Sequence, residues 1–443
     1  MRQPFLAGLA LSAWALAVLG CDSSTSGPTE PAVRGTLVVT ITAPAEVTPA
    51  VVVQGPAGYV RTLGTSQSLS LAPGSYTVTA MPEEVVHPIV HTLYRATVTG
   101  GTAPVNAVQV WALVRNGQTM TAAVSYAARP GTGALWVTTG GPHIRAYSAA
   151  ALETGGTPTP RVDLPMFNFV PIAVAFDSLG NLWTASSDHG SWRTFFYPED
   201  QLGTSDSPGP LFGSEVVAGG SPQGLAFDRR GDLWVTNKDA STIAQFTERS
   251  LQGSMPAVAL SATHGSLNGP AGIAFDPNGN LWVANNAGNT LVKFGASQLT
   301  NSGSPAPMVT LSAASSSLDG PFGLAFDTQG NLWVTNRNAN TVVLFGATQL
   351  GASGSPTPLV TLSASGGSIA GPTGVAFDAS GNLWVANDIG RSVVQFGASQ
   401  LRASGAPTPV ATIGGLEPSG PIGLAFDPPA AALYPNTYDP WAY

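Results

Sequence analysis

The residues best suited to chemistry recur at fixed positions in this sequence. Six aspartates close an Ala-Phe-Asp triplet, at Asp177, Asp228, Asp276, Asp327, Asp378 and Asp427. Carboxylates gathered on a ring could hold a divalent cation or act as acid and base. Each of the first five, however, opens an Asp-x-x-Gly-(Asn/Asp) segment, as in Asp327-Thr-Gln-Gly330-Asn331. There a carboxylate can accept from turn amides, and the glycine supplies a positive φ. These aspartates are therefore read as caps of their own hairpins. The segment starting at Asp276 hints at a calcium loop, but its twelfth position is Ala287, not the chelating Glu such a loop needs.

A second series stands three residues past a recurrent tryptophan: Thr139, Ser186, Asn237, Asn285, Asn336 and Asn387. At strand ends these side chains could line the mouth of a channel, or each Asn could bond its local backbone. The segments that follow differ from copy to copy, and binding specificity belongs in such loops. They hold Asp188-His189, Lys238-Asp239, residues 286–289, Arg337 with residues 338–340, and Asp388 with residues 389–391. The stretch 187–197 departs from the pattern. It concentrates His189, Trp192, Arg193, Phe195 and Tyr197, as a contact patch or as packing aromatics.

No catalytic residue is assigned beside these candidates. His87, His91, His143, His189 and His264 have no metal-motif spacing in the repeats, and Pro88 with a β context argues against a helical pair at His87 and His91. No G-x-S-x-G elbow, H-E-x-x-H or Walker A loop occurs. No metal site and no cofactor are expected.

What positions these residues is a repeat. The tryptophans Trp136, Trp183, Trp234, Trp282, Trp333 and Trp384 follow one another at gaps of 47, 51, 48, 51 and 51 residues. A period near 50 residues marks a repeat architecture. Each unit holds four short apolar runs separated by turn residues, which is the pattern of strands. In the copy at 320–345 these are GLAFD, NLWVTN and TVVLF, with PLVTLS following a Gly/Ser/Pro loop. Leu332 and Val334 face one way, Trp333 and Thr335 the other, so the sheet must be covered on both sides. Four-stranded sheets buried on both faces and repeated around a ring are propeller blades. The last copy, at 420–427, supplies only a first strand, and the first, at 134–139, lacks one. Joining them completes a blade and closes a ring of six, with a seventh conceivable only if Leu433-Tyr434 and the aromatic end form strands.

The motif P-x-G-(L/I/V)-A-F-D-x-x-G-(N/D)-L-W-V-(A/T)-N, followed by (S/T)-(I/L/V)-x-x-F, resembles the NHL-repeat propellers and their gluconolactonase-like and virginiamycin-lyase-like six-bladed relatives. The resemblance covers about residues 130–427 and implies an all-β, six-bladed propeller. It also implies an alternative function, a metal-dependent lactonase or lyase with its site in the channel. The lactonases hold their metal with a Glu, Asn and Asp set, and no propeller Glu occupies a first strand here. The closely spaced His/Glu/His group of the lyases is absent as well. Such propellers serve many roles, so the fold alone assigns no activity.

The N-terminus carries an address. Arg2, an apolar run and Val18-Leu19-Gly20-Cys21 describe a leader over residues 1–20 that resembles a lipoprotein signal, with Cys21 lipidated. Cys21 is the only cysteine, so it has no disulfide partner. Residues 21–33 read as a flexible tether, 34–128 as a small β-sandwich and 129–443 as the propeller. The run LAPGSYTVTA resembles carboxypeptidase-regulatory or transthyretin-like sandwiches. Net charge is −8 with 9% charged residues and no basic cluster, which excludes a nucleic-acid partner. The expectation is a cell-envelope protein, anchored by its lipid, that binds a protein or glycan on the propeller loop face.

Overall fold

The computed structural model describes residues 34–427, apart from 46, 81–82, 87–90, 107–108, 129–132, 167–168, 178–179, 189–190, 204, 206–210, 216–220, 229, 248–255, 262–264, 313–316, 364–365 and 417–418. Cys21, the leader, the tether and Leu433-Tyr434 lie outside the described residues. No helix among the described residues is long and apolar enough to cross a membrane.

The strands build two architectures. From Gly35 to Ala128 they form two five-stranded sheets. Alternating β-branched residues put Leu37, Val39 and Val124 of one sheet and Val51, Val78 and Val110 of the other into a single core. Thr119–Ala128 lies mid-sheet, parallel to Gly35–Thr42 and antiparallel to His91–Gly100.

From Ala134 onward the chain forms six four-stranded sheets, the blades of a β-propeller. Blade 5 is built from Pro321–Phe326, Leu332–Asn336, Thr341–Phe345 and Val360–Ser363. Every residue of Leu332–Asn336 is buried, as the bulk on both faces of that strand requires. Each tryptophan wedges against the next blade. Trp333 meets Phe377 edge to face at 6.2 Å, and Trp136–Phe176, Trp183–Phe227, Trp234–Phe275 and Trp384–Phe426 repeat the contact. Truncating such an aromatic costs about 3–5 kcal/mol.

The ring closes through blade 1, made of Ala134–Thr139, His143–Tyr147, Val162–Pro165 and the terminal strand Pro421–Asp427. Trp136 stands opposite Ala425 and Val137 opposite Leu424. The six first strands touch in a cycle: Val170–Phe176, Pro222–Phe227, Pro270–Phe275, Pro321–Phe326, Pro372–Phe377, Pro421–Asp427 and back to the first. They approach so closely that glycine is required. A Cβ on Gly272 would stand 2.1 Å from the Phe322 carbonyl oxygen, and one on Gly323 2.3 Å from that of Thr373.

Two further devices hold neighbouring blades together. The position two past each tryptophan alternates Thr138, Ala185, Thr236, Ala284, Thr335, Ala386 around the ring. Each of the three threonines accepts from a glycine N–H of its own blade and donates to a carbonyl of the next. For Thr335 the partners are Gly323 N at 2.7 Å and Thr373 O at 2.6 Å. At the outer edge, the loop after the third strand clasps the last strand of the blade before. The Ser353 hydroxyl accepts from Thr310 N, and Gly354 lies alongside Leu311. Ser302 and Ser404 do the same to Ala259 and Thr361.

Candidate binding face

Five of the six aspartates of the Ala-Phe-Asp triplets are turn caps. One Asp327 carboxylate oxygen accepts from Gln329 N and Asn331 N, at 2.9 and 3.0 Å. The other accepts from the Asn331 amide at 2.9 Å and from the Trp333 indole N–H at 3.1 Å. Asp177, Asp228, Asp276 and Asp378 bind the indole of their own blade in the same way, at 2.8–3.3 Å. The turn glycines, Gly180, Gly231, Gly279, Gly330 and Gly381, all have φ between 75° and 82°. The carboxylate thus ties the hairpin to the aromatic wedge above it. Only blade 3 puts Asp232 where the other hairpins have Asn. Burial, and then the neighbouring Asp228 charge, hold its carboxyl above the ordinary carboxylate range.

The asparagines at the other end of the second strands correct the expectation of a polar channel lining. Asn237, Asn285, Asn336 and Asn387 are no more than 1% exposed. Asn285 donates to Ser266 O at 2.9 Å and to the Thr290 hydroxyl, and it accepts from Asn268 N. Asn336 and Asn387 bond Ser317 O, Thr341 and Asp319 N, and Ser368 O, Ser392 and Ala370 N, in the same pattern. Asn237 donates to Thr242. A buried amide must find partners, and Asn285, Asn336 and Asn387 spend theirs on the third strand and on the loop that enters the same blade. They shape the face without presenting groups to it.

The short turns after them carry the face. Ser241, Asn289, Asn340 and Arg391 take a left-handed conformation, φ 48–55°. Asn289 and Asn340 use it to accept from Gly320 N and Gly371 N of the next blade, at 2.7 and 2.6 Å. Ser241 accepts likewise from Gly269 N. Arg337 and Asp388, expected as separate contacts, form an ion pair that bridges blades 5 and 6. Lys238 is partly buried, and its N–H donates to Ser221 O.

Blade 2 breaks the regularity. Its second and third strands, Leu182–Asp188 and Ser191–Tyr197, are seven residues long where blades 3 to 6 have five. Asp188 pairs with Ser191 and Ser187 with Trp192, so the stretch 187–197 is an extended hairpin and not a loop. Phe195 and Tyr197 are buried, and Phe196 stacks on Trp183 at 4.8 Å. Burial holds the Tyr197 hydroxyl well above its ordinary range, and it donates to Pro165 O. Arg193 is partly buried opposite Glu215. His189 and the side chains of Asp188 and Trp192 lie outside the described residues.

The channel wall has a different character. From Val170–Phe176 to Pro372–Phe377, the five covalently hairpinned first strands contain no charged residue and no histidine. In the sixth, the only such residue is the final one, Asp427. Mid-strand, Val174, Leu225, Ile273, Leu324, Val375 and Leu424 are buried in the apolar clusters that join neighbouring blades. Among the described residues no three His, Cys, Asp or Glu side chains are grouped to hold a metal ion.

The NHL repeat family model matches residues 267–294, which hold the first three strands of blade 4. Virginiamycin B lyase from Staphylococcus aureus is similar in structure, at 15% identity and a TM-score of 0.39, over 52% of this chain and 68% of that one. A protein of unknown function from Bacteroides caccae is similar at 13% identity and a TM-score of 0.47, over 66% of this chain and 97% of that one. No curated protein matches the sequence. Similarity at this level carries no activity across, and the blade count rests on strand pairing alone. The chain is a closed six-bladed β-propeller in which a segment of blade 4 matches the NHL repeat.

Proposed function

We propose that this protein is a lipid-anchored, extracytoplasmic binding module that holds a protein or glycan partner on the propeller face bearing the turns between second and third strands. Cys21 carries the lipid, and the two-sheet N-terminal region links it to the ring. The observation that carries the reading is the contrast between five first strands without a charged residue or histidine and a loop face whose turns differ from blade to blade. Rigid frames with variable loops are the usual arrangement of binding surfaces. The extended hairpin of blade 2 is the centre of that face.

Chain direction supports the orientation. The ring begins at Ala134, opposite Asp427, at the end where the Asp-x-x-Gly hairpins lie. The chain therefore enters the ring on the hairpin side, and the variable turns lie on the opposite face. The lactonase or lyase alternative needs carboxylates or imidazoles in the channel, and the first strands offer only Asp427.

The test is affinity capture from an envelope extract and a glycan array. Both use the full mature chain and a variant in which residues 187–192 are replaced by the four-residue turn Asn286–Asn289. Capture by the parent and its loss in the variant support the reading. Equal capture by both sends the partner elsewhere. Intact-mass analysis of the mature N-terminus tests the lipid separately.

A further inference from the structure

We propose that the outer rim of blades 4 to 6, on the hairpin side, is a shallow contact for the lipid bilayer surface, made by Met308, Leu359 and Val410. These residues are 60, 60 and 64% exposed, among the most exposed large apolar side chains described. They occupy one structural position. Each immediately precedes the last strand of its blade, and each donates its backbone N–H at 2.8 Å to the third strand, at Lys293 O, Leu344 O and Gln395 O. Each lies over a glycine, Gly295, Gly346 or Gly397.

Equivalent positions of successive blades in a closed ring lie in one plane. Three such side chains can therefore meet a flat surface together. The surroundings suit a bilayer. The loops 296–308 and 347–359 contain no charged residue, and 398–410 contains only Arg402, whose sign matches anionic headgroups. The hairpin turns beside them are Asp-Pro-Asn-Gly, Asp-Thr-Gln-Gly and Asp-Ala-Ser-Gly, each with one carboxylate, which is engaged by its own turn amides and indole. The rest of the rim differs, with Arg161 at the equivalent position in blade 1 and Ala257 in blade 3. The face is also the one on which the chain enters the ring from its N-terminal region.

This inference rests on the proposed lipid anchor for its biological setting. Three shallow side chains give weak partitioning alone, and a tether multiplies it by raising the local concentration. The anchor is not needed for the test. The mature chain, starting at residue 21 and carrying Cys21→Ser, is floated with vesicles of phosphatidylethanolamine and phosphatidylglycerol. The expected result is a vesicle-bound fraction that falls about tenfold on adding Met308→Ser, Leu359→Ser and Val410→Ser together. As a second readout, Leu359→Cys in the Cys21→Ser chain is a unique thiol for an environment-sensitive dye. Its emission should shift to the blue on vesicle addition, while a dye at Asn338→Cys, on the opposite face, should not respond. No vesicle binding by the Cys21→Ser chain, equal binding by the triple variant, or equal dye responses at both sites would overturn the proposal. A native N-terminus without lipid would instead count against the anchor alone.

Discussion

Blades 1 and 5 have the same four strands and differ in how the first two are joined. In blade 5 a five-residue turn links them, and Asp327 ties that turn to the Trp333 indole. In blade 1 the strands come from the two ends of the propeller region, and the Gly423 N–H reaches the Thr138 hydroxyl across 285 residues. No turn exists there, and the Trp136 indole nitrogen is buried with no hydrogen-bond partner among the described residues. The seam thus keeps the backbone ladder, the threonine bridge and the Trp384–Phe426 wedge, and gives up the carboxylate latch. Packing and pairing hold the shape, while the latch adds stability where a hairpin is present to carry it.

The most severe way to break the comparison is to remove the terminal strand. A chain ending at Gly420 exposes the faces of Trp136 and Trp384. It should lose more than about 5 kcal/mol, close to the whole stability of an ordinary domain, and chemical denaturation would read this as loss of the cooperative transition. Next in size is the inner ring. Gly323→Ala drives a methyl into the Thr373 carbonyl and should cost about 1–3 kcal/mol. Ala173→Gly in blade 2, where that position already holds a methyl, should change little beyond the entropic cost of glycine, about 0.5–1 kcal/mol.

The latch itself is tested by paired substitutions. Trp333→Phe loses the bond to Asp327, whereas Trp136→Phe removes an N–H that has no acceptor among the described residues. The first should cost about 1–2 kcal/mol more than the second, measured by urea unfolding. Equal costs would mean that the indole–carboxylate bond contributes nothing.

The smallest effect concerns Asp232. Its folded pKa is raised, so its charged form costs stability at neutral pH, and that cost fades as pH falls through the folded value toward 3.8. Asp232→Asn should therefore stabilise the protein at pH 7 by about 0.5 kcal/mol, given partial exposure and screening. The gain should vanish below about pH 4. A gain that persists in acid would point to geometry rather than charge.

Much of this architecture was legible in the sequence, and the reason is repetition. The Trp, Gly and Asp-x-x-Gly spacings place strands, turns and the seam because each residue type answers one local requirement. The binding face was harder to read. Asn285, Asn336 and Asn387 look like a polar lining on paper, since a strand-end Asn is drawn the same way whether it meets solvent or backbone. Their burial depends on loops from the same blade folding over them, a tertiary fact with no local signal. Arg337 and Asp388 sit one repeat apart, and only the ring brings them together. The extended hairpin of blade 2 carried a readable sign, since Thr194 and Phe196 alternate with Phe195 and Tyr197 in strand fashion. The rim residues Met308, Leu359 and Val410 were equally visible as a repeat, but their exposure was not.

The central claim is that residues 421–427 are an integral strand of a closed ring. Native-state hydrogen exchange reads this directly, by comparing the amides of Pro421–Asp427 with those of Pro321–Phe326. Closure predicts that both segments exchange only through global unfolding, with protection of the same order. Rapid exchange in the terminal strand, with blade 5 still protected, would mean that the ring stands open at blade 1.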